Sequence, residues 1–150
     1  MKRVDAAAST AAVKETDTAQ LVYALMHAGR ALEDRLDVAL GRAGLSLAKF
    51  GVLSELVRSP EPLTLSELAA RLSCVRSNMT QLIDRLESDG LVRRVDDPAD
   101  RRTVRASLTP LGRSQQAAGD QELRSVQHEI GTQLGQTDCT LLNRALETLG

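Results

Sequence analysis

Between Leu63 and Gly112 the chain carries helix starts and stops at short intervals, and these leave few folds open. Thr64-x-x-Glu67 is a capping box, in which a threonine hydroxyl and a glutamate carboxylate each satisfy a backbone amide of the first turn. Leu63 and Leu68 flank it as a hydrophobic staple. The helix it opens ends near Leu72. The next runs from about Arg76 to Asp89, with Met79, Leu82, Ile83 and Leu86 as its buried stripe and Gly90 suited to the left-handed position past its end. Leu91–Val95 and Thr103–Leu108 read as two short strands. In the second, Val104, Ala106 and Leu108 share one face, and Thr103, Arg105 and Ser107 the other. The seven residues between the strands are polar, with Asp-Pro turn chemistry. The order is helix, turn, helix, hairpin.

The flanking segments read as helices. Residues 1–16 read as a flexible, small-residue tail. From about Asp17 a long helix is expected, with Leu21, Leu25, Ala28, Leu32, Leu36 and Ala39 on one face and Gly41 and Gly44 at its end. A helix of that length in a small domain suits packing against a partner chain. Ser46 caps a helix through Val57, with Phe50, Leu53, Leu56 and Val57 facing in. Thr109-Pro110 opens a fifth helix carrying Leu123, Val126, Ile130 and Leu134. Thr137 or Asp138 caps a sixth, whose apolar stripe is Cys139, Leu142, Ala145, Leu146 and Leu149, with Cys139 read as core.

Composition narrows the function. Of 150 residues, 42% are hydrophobic, which argues against a disordered chain. With one Phe, one Tyr and no Trp, aromatic stacking on single-stranded nucleic acid is disfavoured. No apolar run approaches the ~20 residues of a membrane span, and the Ala-rich start lacks a leucine-rich leader core, so a cytosolic protein is expected. Cys74 and Cys139 are too far apart for a zinc or disulfide framework. The formal net charge is −1, but it is unevenly spread. Residues 71–113 hold 9 basic and 6 acidic side chains, net +3, whereas residues 114–150 hold 2 and 5, net −3. Positive charge gathers on the segment with the helix-turn-helix pattern, where phosphate attraction needs it.

The outward face of the fourth helix has a chemistry suited to base edges. It presents Arg76, Ser77, Asn78, Thr80, Gln81, Asp84 and Arg85, mostly short hydrogen-bonding groups rather than the Lys/Glu mixture of an ordinary solvated face. Asn and Gln grip adenine bidentately, Arg grips guanine, and Ser or Thr reaches phosphate or base. At the hairpin tip stand Asp100, Arg101 and Arg102. A narrow minor groove attracts an inserted arginine, and Asp100, which repels phosphate, is expected to orient a nearby guanidinium.

These stretches resemble the MarR family of bacterial transcription regulators. The resemblance rests on Leu65-Ser66-Glu67-Leu68-Ala69, on Thr80-x-x-Ile83-Asp84-Arg85-Leu86-Glu87-x-x-Gly90-Leu91-Val92-x-Arg94, on Asp97-Pro98-x-Asp100-Arg101-Arg102, and on Leu108-Thr109-x-x-Gly112. It implies a mainly α winged helix-turn-helix fold with a two- or three-stranded β wing. Residues 46–109 would form the DNA-binding lobe, and 17–45 and 110–150 the dimerisation helices. It further implies a homodimer on a near-palindromic operator of double-stranded DNA, control by a small effector, Arg102 in the minor groove and Asp100 holding it. One departure is the turn Ser73-Cys74-Val75. Val75 offers helix amides no acceptor, which leaves Ser73 or Ser77 as the substitute cap.

Two further clusters draw alternative readings. Cys74 stands beside a helix N-terminus and Arg76, both of which favour thiolate, so a thiol-based redox regulator is one alternative; a small buried hydrophobe is the other. Tyr23, His27 and Arg30 recur at helical spacing and read either as a pocket for a small anionic or aromatic effector or as a solvated stripe. Neither His27 nor His128 has a nucleophile or metal partner; no enzyme, metal or cofactor is implied. A winged-helix protein-interaction module that never meets DNA is the remaining alternative class.

Overall fold

A computed structural model describes residues 6–97, 100, 102–135 and 137–149, with side chains from residue 17 onward. The chain divides into two compact units, Met1–Arg35 and Leu36–Gly150. The elements are α1 (Ala6–Arg42), α2 (Leu47–Arg58), β1 (Leu63–Thr64), α3 (Leu65–Arg71), α4 (Arg76–Ser88), β2 (Val92–Asp96), β3 (Val104–Leu108), α5 (Pro110–Leu134) and α6 (Cys139–Glu147). The architecture is the mainly α winged helix-turn-helix expected. Among the described residues no helix is long and apolar enough to cross a membrane.

The first unit is helical throughout its described part. The helix starts at Ala6, well before the expected Asp17, so residues 6–16 are not the tail that their small side chains suggested. Alanine is the best helix former, and five of these eleven residues are alanine. Leu21, Val22, Tyr23, Met26 and Leu32 are exposed.

The second unit holds the core. Leu40, Leu53, Leu68, Met79, Ile83 and Leu86 are fully buried together with Val52 and Val92. The sheet is antiparallel in the order β1-β3-β2. β3 pairs Ala106 with Leu63 and Arg105 with Thr64 on one side, and Leu108 with Val92 through Val104 with Asp96 on the other. β1 is too short to show alternation and coincides with the staple and cap of α3.

Local caps set most boundaries as expected. Ser46 Oγ accepts the Lys49 N–H, and Thr64 and Glu67 form the full capping box. Thr109 Oγ1 accepts the Gly112 N–H and donates to the Gly90 carbonyl at 2.7 Å. Asp138 caps α6. Past α4, Gly90 takes φ 73°. There the Leu91 N–H donates to Leu86 O and the Gly90 N–H to Glu87 O, the paired bonds of a Schellman end. Gly112 permits a close approach: a Cβ there would stand 2.0 Å from the Leu91 carbonyl oxygen. The α5 N-terminus can therefore sit directly on the start of β2.

Two expectations are corrected. Cys139 is exposed, not core, and α6 buries no residue within the chain. Its stripe is apolar as read, but periodicity does not say what covers a stripe. Val57 is likewise 40% exposed while Leu53 and Leu56 are buried, because α2 turns a narrower face inward.

Candidate nucleic-acid interface

The turn between α3 and α4 is built on a strained residue. Ser73 is the one described non-glycine residue at positive φ, 49°. It occupies the position after the α3 C-cap, where its N–H donates to Ala70 O while the Cys74 N–H donates to Ala69 O. Ser73 is thus spent on ending α3 and does not cap α4, and Ser77 does not either: Val75 stands at the N-cap with no side-chain hydrogen bond. Among α2 to α6, α4 alone starts without a side-chain cap. Cys74 is half-buried, and its thiol donates to Val75 O at 3.4 Å.

α4 is held from beneath by Met79, Ile83 and Leu86 and from the side by Arg94 of β2. The Arg94 guanidinium donates to Asp84 Oδ1 at 2.5 Å and to Glu87 Oε2. These bonds, that to Asp84 foremost, push the Arg94 pKa further up. The pairing also neutralises Asp84, an acidic group on the face expected to read DNA. Arg76, Ser77, Asn78, Thr80, Gln81, Asp84 and Arg85 are all exposed. Thr80 Oγ1 donates back to the Arg76 carbonyl at 3.1 Å. The side chains of Arg76, Ser77, Asn78, Gln81 and Arg85 make no hydrogen bond or ion pair with any described residue. Such a face keeps its donors and acceptors for an external partner.

The hairpin tip is organised by two carboxylates. Asp100 Oδ1 accepts the Arg102 backbone N–H at 2.9 Å, and Oδ2 accepts the Thr103 hydroxyl at 3.0 Å. Asp100 therefore fixes the turn that carries Arg102 rather than gripping its guanidinium, which corrects the expected role. A carboxylate two residues before an amide closes a local Asx-type turn, and that geometry wins over a long flexible guanidinium. Arg102 is exposed with its side chain bound to no described residue. Arg101 lies outside the described residues.

Two residues given no role from sequence anchor the wing. Asp97 is buried, and its Oδ2 accepts Arg105 Nε at 2.6 Å. Arg105 also donates to Pro62 O at 3.0 Å and lies 3.6 Å from Glu67. The hydrogen bond that it donates to Asp97 pushes the Arg105 guanidinium pKa up. This side chain ties the wing to β1 and the start of α3. The strand register contains the signal: Arg105 pairs with Val95, which puts Asp97 diagonally across on the same face.

Wing and helix-turn-helix meet at a cleft of about 480 Å³. Arg76 from the first turn of α4 and Arg102 from the wing both line it, as do Ser66 and Thr103. Two exposed cations and three hydroxyl-bearing residues, Thr64, Ser66 and Thr103, around an open cleft suit a phosphate or a backbone strand. Ser66 and Thr103 are additions to the site read from sequence. Tyr23, His27 and Arg30 are all exposed on α1.

Comparisons with known proteins agree with this geometry. A model described as MarR family matches residues 43–103. PrsX, an HTH-type transcriptional regulator of Escherichia coli, is 32% identical over 93 residues, 61% of this chain and 56% of PrsX, so the chain spans little more than half of that relative. Rv2887, an HTH-type transcriptional repressor of Mycobacterium tuberculosis, is 31% identical over 134 residues, 89% of this chain and 96% of Rv2887. The repressor CouR bound to a 23-mer DNA duplex superposes with a TM-score of 0.79 at 28% identity, covering 86% of this chain and 91% of CouR. CouR from Rhodococcus jostii RHA1 bound to p-coumaroyl-CoA gives 0.73 at 26%, covering 86% and 88%.

Proposed function

This chain belongs to the MarR family, and from that premise we propose that it is a sequence-specific, double-stranded DNA-binding transcription regulator, a ligand-responsive repressor acting as a homodimer on a near-palindromic operator. The observation that carries the reading is the exposed face of α4, uncommitted to any described residue, opening onto a cleft shared with the wing arginine Arg102. In this reading Arg76, Asn78, Gln81 and Arg85 meet base edges in the major groove, with Ser77 and Thr80 reaching phosphate or base. Arg102, with Arg101, enters the flanking minor groove, and Asp100 sets the turn that delivers it.

Dimerisation accounts for apolar surface that the chain leaves open. In the first unit Leu21, Val22 and Met26 are exposed; in the second, Leu141, Leu146 and Leu149 of α6 are. Each is a surface that a second copy would cover. Two-fold symmetry would then place two α4 helices about 34–36 Å apart, one turn of DNA. An effector that alters that spacing by about 1–3 kcal/mol of coupling gives several-fold to hundredfold control. CouR, captured both on DNA and with an acyl-CoA, supports a fold that serves both partners.

The test is Arg102→Ala against a duplex that the unmodified protein selects. Loss of about tenfold or more in affinity is expected for a specific contact of ~1–3 kcal/mol. Unchanged affinity would remove Arg102 from the interface.

A further inference from the structure

Val75 has a side chain that the fold itself does not use. It stands at the N-cap of α4 in extended backbone, φ −71° and ψ 143°, with no side-chain hydrogen bond. Valine is among the poorest choices there, because the position favours an oxygen that accepts an amide of the first turn. Burial gives nothing in return, since Val75 is 62% exposed. Its carbonyl accepts the Met79 N–H at 3.2 Å, but any residue supplies that carbonyl. Neither capping nor packing accounts for the two methyl groups.

Their surroundings point outward. Among the described residues from Leu63 to Leu108, Val75 and Val104 are the large apolar side chains left exposed. Single exposed apolar residues are ordinary on a protein surface, but these two stand with the groups held out toward an external partner. Val104 lines the cleft together with Arg76 and Arg102, and Val75 directly precedes Arg76 in the chain. The side chains of Arg76, Ser77 and Asn78 are exposed and bound to no described residue. An apolar group therefore heads a row of uncommitted polar ones.

Duplex DNA offers such a row one apolar match. In the major groove the base-edge group that is apolar is the thymine 5-methyl. Asn78 and Gln81 are suited to adenine, and each A·T pair that they meet brings a thymine methyl into the same groove. Valine is branched and stiff at χ1, so it presents its methyls with little freedom to lose. Packing them on the thymine methyl removes apolar surface from water on both sides. Serine or aspartate at this position would complete the cap by turning its oxygen to the helix amides, and would offer the methyl nothing. Phosphate, the other DNA group within reach of a helix start, has no apolar surface for valine to meet.

We propose that Val75 is a specificity-determining residue, which packs on a thymine methyl in each half-site and holds the position where a helix cap would otherwise stand. The inference rests on the proposed DNA-binding function. Its test uses the whole protein and a duplex that the protein has selected. Each thymine of that duplex is replaced in turn, in one half-site and then in both, by deoxyuridine, which removes the 5-methyl and keeps the base pair. Affinity is read by fluorescence anisotropy. At one thymine per half-site the replacement should weaken binding about fourfold in one half-site and on the order of tenfold in both. The same replacement should cost Val75→Ser nothing, while Val75→Ile should keep the sensitivity. Val75→Ala, which removes the methyls without offering a cap, should match Val75→Ser, so the test does not depend on how a new cap behaves. Comparing losses between proteins isolates the contact between side chain and methyl from any general change in affinity. A selected duplex in which no thymine methyl matters overturns the role of Val75, as does an equal loss in Val75→Ser and Val75→Ala. Either result leaves the DNA reading standing, whereas a protein that selects no duplex fails that reading and the role of Val75 with it.

Discussion

Asp100 Oδ1 accepts the backbone N–H of Arg102 at 2.9 Å, so the carboxylate controls where the arginine starts while leaving its guanidinium free. The two residues are a turn-former and its cargo. Asp100→Ala should accordingly weaken DNA binding with Arg102 still present, and the double variant with Arg102→Ala should be little worse than Arg102→Ala alone. Affinities of the three variants by fluorescence anisotropy check this; additive losses would show that Asp100 acts independently of Arg102.

The start of α4 should be improvable. Val75→Ser supplies the acceptor that the N-cap lacks and is expected to stabilise by about 0.5–2 kcal/mol. Ser73→Gly relieves a left-handed residue at φ 49° and should gain about 1 kcal/mol. Denaturant midpoints measure both. A neutral or destabilising Val75→Ser would mean that α4 begins elsewhere in solution.

Gly112→Ala should do the opposite. Its new methyl would meet the Leu91 carbonyl oxygen at 2.0 Å, a contact with backbone that no rotamer relieves. The strain expected of such overpacking is about 1–3 kcal/mol, read as a lower midpoint with no gain in function. Gly29→Ala, where nothing lies within 4 Å, is the control that should not lose stability.

What the sequence made legible here was local. Thr64-x-x-Glu67, Gly90 and Thr109-Pro110 each act on amides or carbonyls within a few positions, so their meaning survives without a fold. The outward face of α4 was legible for the same reason, since helical spacing alone sorts Met79 and Ile83 from Asn78 and Gln81. What escaped depended on neighbours that sequence does not supply. Cys139 sits on an apolar stripe, yet a stripe does not reveal whether its cover belongs to the same chain. Ser73 is a residue type that rarely adopts left-handed backbone, so its role in ending α3 had no signal. Asp100 showed its charge but not that the nearest donor would be a backbone amide. Arg105 and Asp97 meet across the hairpin, a pairing visible only once the register of β2 and β3 is known.

Glu67 gives the fold a defined pH response. Hydrogen bonds from the Thr64 backbone and hydroxyl hold its carboxyl below the ordinary value of 4.5, with Arg105 and Arg71 adding to the effect. A carboxyl with a depressed folded-state pKa contributes stability above its unfolded value and loses it as pH falls through the folded value. Glu67→Gln should therefore be less stable than the parent at pH 7, and the gap should narrow as the pH drops below about 4. Denaturant titrations of both proteins at neutral and acid pH measure the gap; one that stayed constant would assign the loss to shape rather than charge.

In the proposed function, two copies of this chain read duplex DNA through α4 and the wing. The most direct measurement is selection of duplexes from a randomised library by the purified protein, followed by affinity for the selected sequence across a salt series. An inverted repeat with half-sites one helical turn apart is expected, bound by a dimer with affinity that falls steeply as salt rises. Absence of any enriched sequence, or a selected site without two-fold symmetry bound by a single copy, would contradict it.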